Sequence, residues 1–496
     1  MILSAFERYR PLVDDWEAFA AALARPQPPA LRANRLRVEP EALGRRLEGR
    51  GFRLAPYAWA PEVMRVEGGP CPPGTTLEHW LGLFYLQEAA AAVPVVALDP
   101  RPGERVLDLS AAPGGKSTQI AERVGPSGMV VANEADPSRA GWLLANLGRM
   151  GATSVVVTVG DGRRFPPGLA FDRALVDAPC SGEGNARRDP RPRQRPSAGR
   201  LRHLVAVQEA LLRSALARVR PGGVVVYSTC TFAPEEDEAV VDAVLRAAGG
   251  SVEVEELPEG LPGVAGTGAW EGARFLPDVR RARRIYPHHL DSGGMFVARL
   301  RLVAPVPWAG EEGSAGGEEP DEAGGEEPDQ AAAREVAGWL EEWFGIPPDA
   351  FRGLHVYRSG ERTWLSSLPR LPRWRERWAA GLPLAHWTGR HWWPSGYALH
   401  RLGALARRQA VDLEAAELRA LLEGRAIPPP AREAGEPLRR GLVLLRYAGA
   451  GLGLARFDGG LLHAALARER ARQLLAVLDQ PGGLPDRLPE PPGRTG

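Results

Sequence analysis

The sequence predicts an α/β fold, a mostly parallel sheet with helices on both faces. Three observations predict it. From about residue 92, short apolar runs recur at 105–109, 129–133, 154–159, 173–176, 224–227 and 295–300. Between them, 138–151 and 201–220 have helical periodicity. The first run ends in a small-residue turn, Ser110-Ala111-Ala112-Pro113-Gly114-Gly115-Lys116, that opens the next helix.

The chain has 496 residues, enough for two to four domains at roughly 100–200 residues each. Residues 1–90 form a small α/β accessory domain with a helix over 39–50, where Leu43 and Leu47 share a face and Gly51 stops it. Residues 91–304 carry the alternating pattern. Residues 305–333 read as a linker, because 310–330 holds nine acids, no base and many glycines, and such a stretch cannot bury a core. Residues 334–479 form a Trp-rich region, and 480–496 read as a disordered tail.

Hydrophobic residues make up 44% of the chain, an ordinary globular share. No apolar run is long enough to span a membrane, and the N-terminus lacks a basic segment before an apolar one, so a signal peptide is not expected. Three cysteines, Cys71, Cys180 and Cys230, are too few for a disulfide framework and point to a reducing, cytoplasmic setting. No Cys-x-x-Cys pair or histidine cluster supplies four zinc ligands, so no metal is expected.

The formal net charge of +1 argues at first against a nucleic-acid partner. Taking the nine acids of 310–330 from the 61 in the chain leaves 52 against 62 basic residues. The remainder is therefore basic. Lys116 is the single lysine among those 62 residues. In a chain that uses arginine everywhere else, it either serves the turn or points to solvent.

The turn at 110–116 suits a ligand with polar or negative groups, because small residues admit a close approach and a helix start offers free N–H groups. A nucleotide and S-adenosylmethionine both fit that description. Neither the P-loop pattern nor G-x-G-x-x-G is present. Glu134, 20 residues after Gly114, ends the next strand and is placed to accept from ribose hydroxyls. Asp161 follows the third strand and Asp177 ends the fourth. With Asp108, these acids mark one crevice at the carboxyl edge of the sheet. Cys180 and Cys230 each follow a later strand, where the ends of neighbouring strands meet. Cys71, among Pro70, Pro72 and Pro73, reads as a small buried hydrophobe.

The blocks DLSAAPGGKST (108–118), NEAD (133–136), GDGRRF (160–165), VDAPCSGEG (176–184), YSTCTFAPEEDE (227–238) and RRIYPHHLDSGGMFVARL (283–300) stand in an order that resembles the Sun-type RNA cytosine-C5 methyltransferases, in particular the RsmF-like members acting on small-subunit rRNA. The resemblance covers about residues 80–302. It implies a Rossmann-like class I methyltransferase core and S-adenosylmethionine as cofactor, held by Ser110–Lys116, Glu134, Asp161 and Asp177. It further implies that Cys230 is the nucleophile and that Cys180 assists product release. Asp177 would face the cytosine edge and Lys116 the base or the cofactor. Ser110 stands where the family often has Cys, and Asp237 where it usually has Asn.

An arginine run at 187–202 follows the APCSG block. Arg187, Arg188, Arg191, Arg193 and Arg195, with Arg284, are expected to contact RNA phosphates; a solvated loop is the other reading. Trp364, Trp374, Trp378, Trp387, Trp392 and Trp393 read mostly as the core of a small β domain, with stacking on bases as the second reading. The blocks at 393–399 and 449–456 resemble a PUA-like appendage, which implies an RNA-binding role. The expected partner is RNA, 16S rRNA or the small ribosomal subunit, met by a monomer. The same chemistry on tRNA or another rRNA, a non-catalytic RNA-binding ribosome-assembly factor and a nicotinamide-dependent oxidoreductase are the rivals. The last lacks the dinucleotide fingerprint.

Overall fold

A computed structural model describes residues 3–188, 196–309, 325–374, 377–430 and 437–480. Five parallel strands form its centre: β1 (Arg105–Asp108), β2 (Met129–Glu134), β3 (Val155–Val159), β4 (Phe171–Asp177) and β5 (Val219–Thr229). Their order across the sheet is β5-β4-β1-β2-β3. The order reverses beside β1, and ligands of doubly wound sheets bind at such a reversal. Met295–Leu302 pairs antiparallel with β5 and extends the sheet on that side. Valines and other apolar residues fill β1 to β5 because helices cover both faces.

The helices α1 (Gly115–Val124), α2 (Pro137–Met150) and α3 (Ala198–Arg218) return the chain between strands. Local chemistry sets their ends. The Asp136 carboxylate accepts from the Ser138 N–H at 2.8 Å and caps α2, with Pro137 at its first position. Gly151 ends α2 at φ +76°. The Ser197 hydroxyl accepts from the Arg200 N–H, so α3 starts before the apolar periodicity does; it gives way to β5 at Val219. The fold is thus α/β and Rossmann-like, as expected.

The segment 3–90 packs against this core. Its helix over Pro40–Gly49 ends as expected, with Gly51 at φ +88°. Arg32, fully buried on the strand Ala30–Ala33, donates to the Gly115 carbonyl at 2.7 Å and the Thr118 hydroxyl at 2.8 Å, and pairs with Glu122 at 2.9 Å. A side chain of the N-terminal sheet therefore fixes the first turns of α1. Cys71 is half-buried against the core of the same region.

The C-terminal region is joined to the catalytic sheet by hydrogen bonds. Arg377–Ala380 pairs antiparallel with β3. Trp364 and Trp374 pack into the catalytic core, and Trp374 meets Phe165 edge-on at 5.5 Å. Trp392 is buried in the neighbouring core. Trp378 is exposed, while Trp387 and Trp393 are half-buried. Most of the acidic stretch, 310–324, and the tail from 481 lie outside the described residues. Glu326, at the end of that stretch, bridges to Leu371 and pairs with Arg377.

Candidate active site

Three turns at the carboxyl ends of β1, β4 and β5 build the site. After β1, Gly114 sits at φ +107°, where a Cβ would come 3.0 Å from Leu143. A side chain there would be strained and crowded, so the turn requires glycine. Gly115 follows as the first residue of α1, with the Tyr85 ring 3.2 Å from where its Cβ would be. Asp108 is fully buried. It accepts from the Ser117 hydroxyl at 2.7 Å, and its other oxygen has no partner. Burial, helped by Asp177, pushes its carboxyl up to about 7.

After β4 and β5, the sulfur atoms of Cys180 and Cys230 lie 3.4 Å apart. The Asn185 side-chain N–H donates to the Cys230 sulfur at 3.3 Å. Lys116 Nζ reaches across from α1 to Asp177 at 2.7 Å, and Ser228 donates to the other Asp177 oxygen at 2.9 Å. The Cys180 hydrogen bond lowers the Cys230 thiol below its ordinary range. Burial and Asp177 oppose this, and Lys116 and Asn185 reinforce it. The same hydrogen bond, together with burial, pushes Cys180 well up. One thiol is thus set to ionise and the other to keep its proton. Burial works against the Lys116 ammonium, but Asp177, Cys230 and Asp108 outweigh it and raise it.

A buried polar network holds these loops. Glu236 accepts from the Ser181 N–H and from Gln208, both at 2.9 Å, and Gln208 also donates to the Pro179 carbonyl at 2.9 Å. Glu183 accepts from Tyr9 at 2.8 Å and from Thr231 at 3.1 Å. The Gly184 N–H donates to the Cys230 carbonyl at 2.8 Å. The N-terminal segment, through Tyr9, thus helps lock the two cysteine loops together. Sequence reasoning did not find Asn185, Tyr9, Gln208 or Arg32. Asn185, five residues after Cys180, carried the only usable signal, as a polar side chain on the same turn.

The cofactor residues meet at one crevice. Glu134 accepts from the Ala112 N–H at 3.2 Å and, through its other oxygen, from the Asp136 N–H and Arg139. The oxygen facing Ala112 keeps a lone pair, so Glu134 can still accept from a hydroxyl. The glycine cradle, this carboxylate and the acids at the strand ends fit S-adenosylmethionine. Asp161 is occupied differently: Arg163 grips both its oxygens, at 2.9 and 2.7 Å. Both side chains are nearly half exposed, and a pair of that kind is worth about 0–1 kcal/mol, so a ligand can displace it.

Two RNA expectations are corrected. The Arg187 side chain is fully buried, donating to the Arg25, Pro26 and Ser292 carbonyls and pairing with Asp291 at 2.7 Å. Arg284 is also buried, with Glu238 as its main partner, Asp237 at 3.5 Å and the Phe232 carbonyl at 2.9 Å. Both tie loops together and neither faces solvent. Arg188 is exposed and pairs with Glu88 at 2.7 Å. Arg191, Arg193 and Arg195 lie outside the described residues.

Asp14, His288 and His289 bring their polar atoms together away from the cysteines. His289 Nδ1 accepts from the Tyr286 N–H at 3.1 Å. The neutral ring then carries its proton on Nε2 and donates it to Asp14, so that nitrogen offers no lone pair to a metal.

Known proteins match along most of the chain. Residues 95–301 match the family described as 16S rRNA methyltransferase RsmB/F, and residues 6–89 match the N-terminal domain of 16S rRNA methyltransferase RsmF. Ribosomal RNA small subunit methyltransferase F of Aeromonas hydrophila is 34% identical over 92% of this chain and 94% of its own. The chain belongs to the RsmB/F family. It is an RNA methyltransferase that uses S-adenosylmethionine. The tRNA (cytosine(49)-C(5))-methyltransferase of Pyrococcus abyssi is 38% identical over 60% of this chain and 94% of its own. A crystal structure of a methyltransferase homolog from Pyrococcus horikoshii, 30% identical, superposes with a TM-score of 0.52 over 60% of this chain and 99% of that one. No helix among the described residues is long and apolar enough to cross a membrane.

Proposed function

We propose that this RsmB/F member methylates carbon 5 of a cytosine in small-subunit rRNA, in the cytoplasm, with Cys230 as nucleophile and Cys180 as the group that aids its release. The observation that carries this reading is the thiol pair at 3.4 Å, beside the Lys116–Asp177 pair and next to the β1 turn. Similarity to the Aeromonas hydrophila relative over 92% of this chain favours the ribosomal substrate. The match to the archaeal tRNA enzyme spans 60% of this chain and is the basis of the second reading, tRNA.

Carbon 5 of cytosine is a poor nucleophile. The Cys230 thiolate, favoured by Cys180, Lys116 and Asn185, adds to carbon 6 and makes carbon 5 electron-rich. S-adenosylmethionine, when bound, supplies the electrophilic methyl group. Asp177 accepts from the exocyclic amine, and Lys116 offsets the charge that builds on the ring. A base then removes the carbon-5 proton and the electrons of that bond expel Cys230. The Cys180 S–H stabilises the departing thiolate. Ser110, Ala111, Ala112, Pro113, Gly114 and Gly115 shape the cofactor turn; Glu134 would hold the ribose, and Asp161 would accept from the adenine amine in place of Arg163.

Cys180→Ala is expected to accumulate a covalent RNA adduct on denaturing gels, and Cys230→Ala to form none. An adduct in the Cys230 variant would overturn the assignment. Bisulfite sequencing of rRNA and tRNA from a strain lacking the protein tests the substrate; loss of methylcytosine only from tRNA would reject the ribosomal reading.

A further inference from the structure

Three side chains from the N-terminal sheet converge on the first turn of α1. Arg32 and Tyr85 are cross-strand partners on the strands Ala30–Ala33 and Phe84–Leu86, and Gln87 follows directly. The Tyr85 ring lies 3.2 Å from where a Cβ on Gly115 would stand, and the Arg32 guanidinium sits 5.6 Å from the centre of that ring. Gln87 accepts from Arg32 and donates to the Gln119 side chain at 3.2 Å. A fully buried cation is thus held beside the helix that opens the cofactor crevice.

A buried charge needs a counter-charge, and Glu122 supplies it at 2.9 Å. The rest of the fork does something else. One arm donates to the Gly115 carbonyl at 2.7 Å, and the other donates to the Thr118 hydroxyl at 2.8 Å. That hydroxyl has one proton to give, and the Gly114 carbonyl, at 2.8 Å, is its nearest acceptor. Arg32 therefore holds two successive carbonyls, Gly115 directly and Gly114 through Thr118.

Each carbonyl shares a planar peptide with an N–H that points the other way. The peptide after Gly114 carries the Gly115 N–H, and the peptide after Gly115 carries the Lys116 N–H. Both belong to the opening of α1, where N–H groups have no partner within the helix. Gly114, at φ +107°, has no side chain to steer this backbone, so it must be held from outside. A cation on the carbonyl side also polarises the peptide and strengthens its N–H as a donor. With Glu134 assigned to the ribose and Asp161 to the adenine amine, the part of S-adenosylmethionine left for these donors is its amino-acid carboxylate.

We propose that Arg32 is a positioning residue for S-adenosylmethionine: from the far side of the turn it aims the Gly115 and Lys116 N–H groups at the cofactor's carboxylate. The inference rests on the use of that cofactor and is independent of which base receives the methyl group. Calorimetry on the full chain with two ligands tests it. S-adenosylhomocysteine keeps the carboxylate, and 5′-methylthioadenosine lacks it. Arg32→Lys keeps a cation for Glu122 and loses the fork that reaches both carbonyls. It should weaken S-adenosylhomocysteine about tenfold, the usual size for one charged hydrogen bond, and leave methylthioadenosine within about twofold. Thr118→Ala leaves the Arg32–Glu122 pair in place and cuts only the relay to Gly114. It should weaken S-adenosylhomocysteine about threefold with the same indifference to methylthioadenosine. In methylation, Arg32→Lys should raise the KM for S-adenosylmethionine and keep the KM for RNA.

Equal losses for the two ligands would reduce Arg32 to a brace of the fold and overturn the proposal. So would full affinity for S-adenosylhomocysteine in Arg32→Lys, or in Thr118→Ala where the lysine variant does not fold. A native chain that binds S-adenosylhomocysteine through Arg32 but methylates no cytosine would keep this assignment and reject the proposed reaction. A native chain that methylates cytosine with a cofactor affinity indifferent to Arg32 would do the reverse.

Discussion

The loops around Cys180 and Cys230 and the cavity around Trp343 and Trp393 both crowd polar side chains together. They differ in where the hydrogen bonds go. Around the thiols, Glu183, Gln208 and Ser228 each have a protein partner on another loop or helix, and the reacting sulfurs sit on strand ends. In the C-terminal cavity, lined by Trp339, Trp343, Trp393, Arg390, Arg440 and Arg456, the one carboxylate, Asp458, pairs with Arg440, and Arg390 and Arg456 have no carboxylate partner among the described residues. Pre-satisfied groups hold a geometry, which a covalent step needs. Unsatisfied charges wait for a partner, which binding needs.

The largest effect should come from breaking the network behind the thiols. Arg284 is buried with Glu238 and Asp237, and removing it strands two acids. Arg284→Met should cost about 3–5 kcal/mol of stability in denaturant melts, the usual result of breaking a buried pair. Arg390→Ser, in the cavity, should cost less than about 0.5 kcal/mol. Equal losses would erase the distinction between the two regions.

Arg284 also marks the limit of what a sequence tells. The strand-helix alternation, the turn at 110–116 and the order of the acids were legible because period and spacing survive folding. Cys180 and Cys230 were legible because each follows a strand whose end joins the same edge. Burial of arginines was not. Arg187 and Arg284 stand in runs of basic residues, and composition cannot tell which of them finds Asp291 or Glu238 across the fold. The antiparallel pairing of Arg377–Ala380 with β3 was hidden for the same reason, since its partner lies more than 200 residues upstream.

Asp108 sharpens the contrast through pH. Its carboxyl is raised to about 7 in the folded chain, above its ordinary value. A raised group contributes stability that is full below the unfolded value, near pH 4, and lost as pH rises through 7. Asp108→Asn should remove that loss. The variant's stability relative to the native chain should rise by roughly 1.4 kcal/mol per pH unit between about pH 4 and 7. A parallel pair of stability curves across that window would show that Asp108 ionises normally.

Asn185 probes the thiols directly. It donates to the Cys230 sulfur and therefore favours the thiolate. Asn185→Ala should raise the Cys230 thiol toward its ordinary value. Its alkylation rate at neutral pH should fall by about three- to tenfold, equivalent to ~1 kcal/mol for one lost hydrogen bond to a charged group. The rate at high pH should match the native chain, because Cys230 is then ionised in both proteins. A deficit that persists at high pH would mean that the change blocks access and leaves the ionisation alone.

The smallest effect concerns the one polar pair of the catalytic crevice that behaves like the open cavity. Arg163 holds Asp161 where the adenine amine is expected, and both side chains are nearly half exposed. Breaking such a pair costs the cofactor at most about 1 kcal/mol. Arg163→Gln should therefore tighten S-adenosylmethionine binding by up to about fivefold in calorimetry, with little change in melting temperature. Asp161→Ala should weaken binding and make the Arg163 substitution neutral in the double variant. If Arg163→Gln leaves the affinity unchanged and Asp161→Ala does too, the adenine amine finds its acceptor elsewhere. The acids at the ends of β1, β2 and β4 would then define the crevice without Asp161.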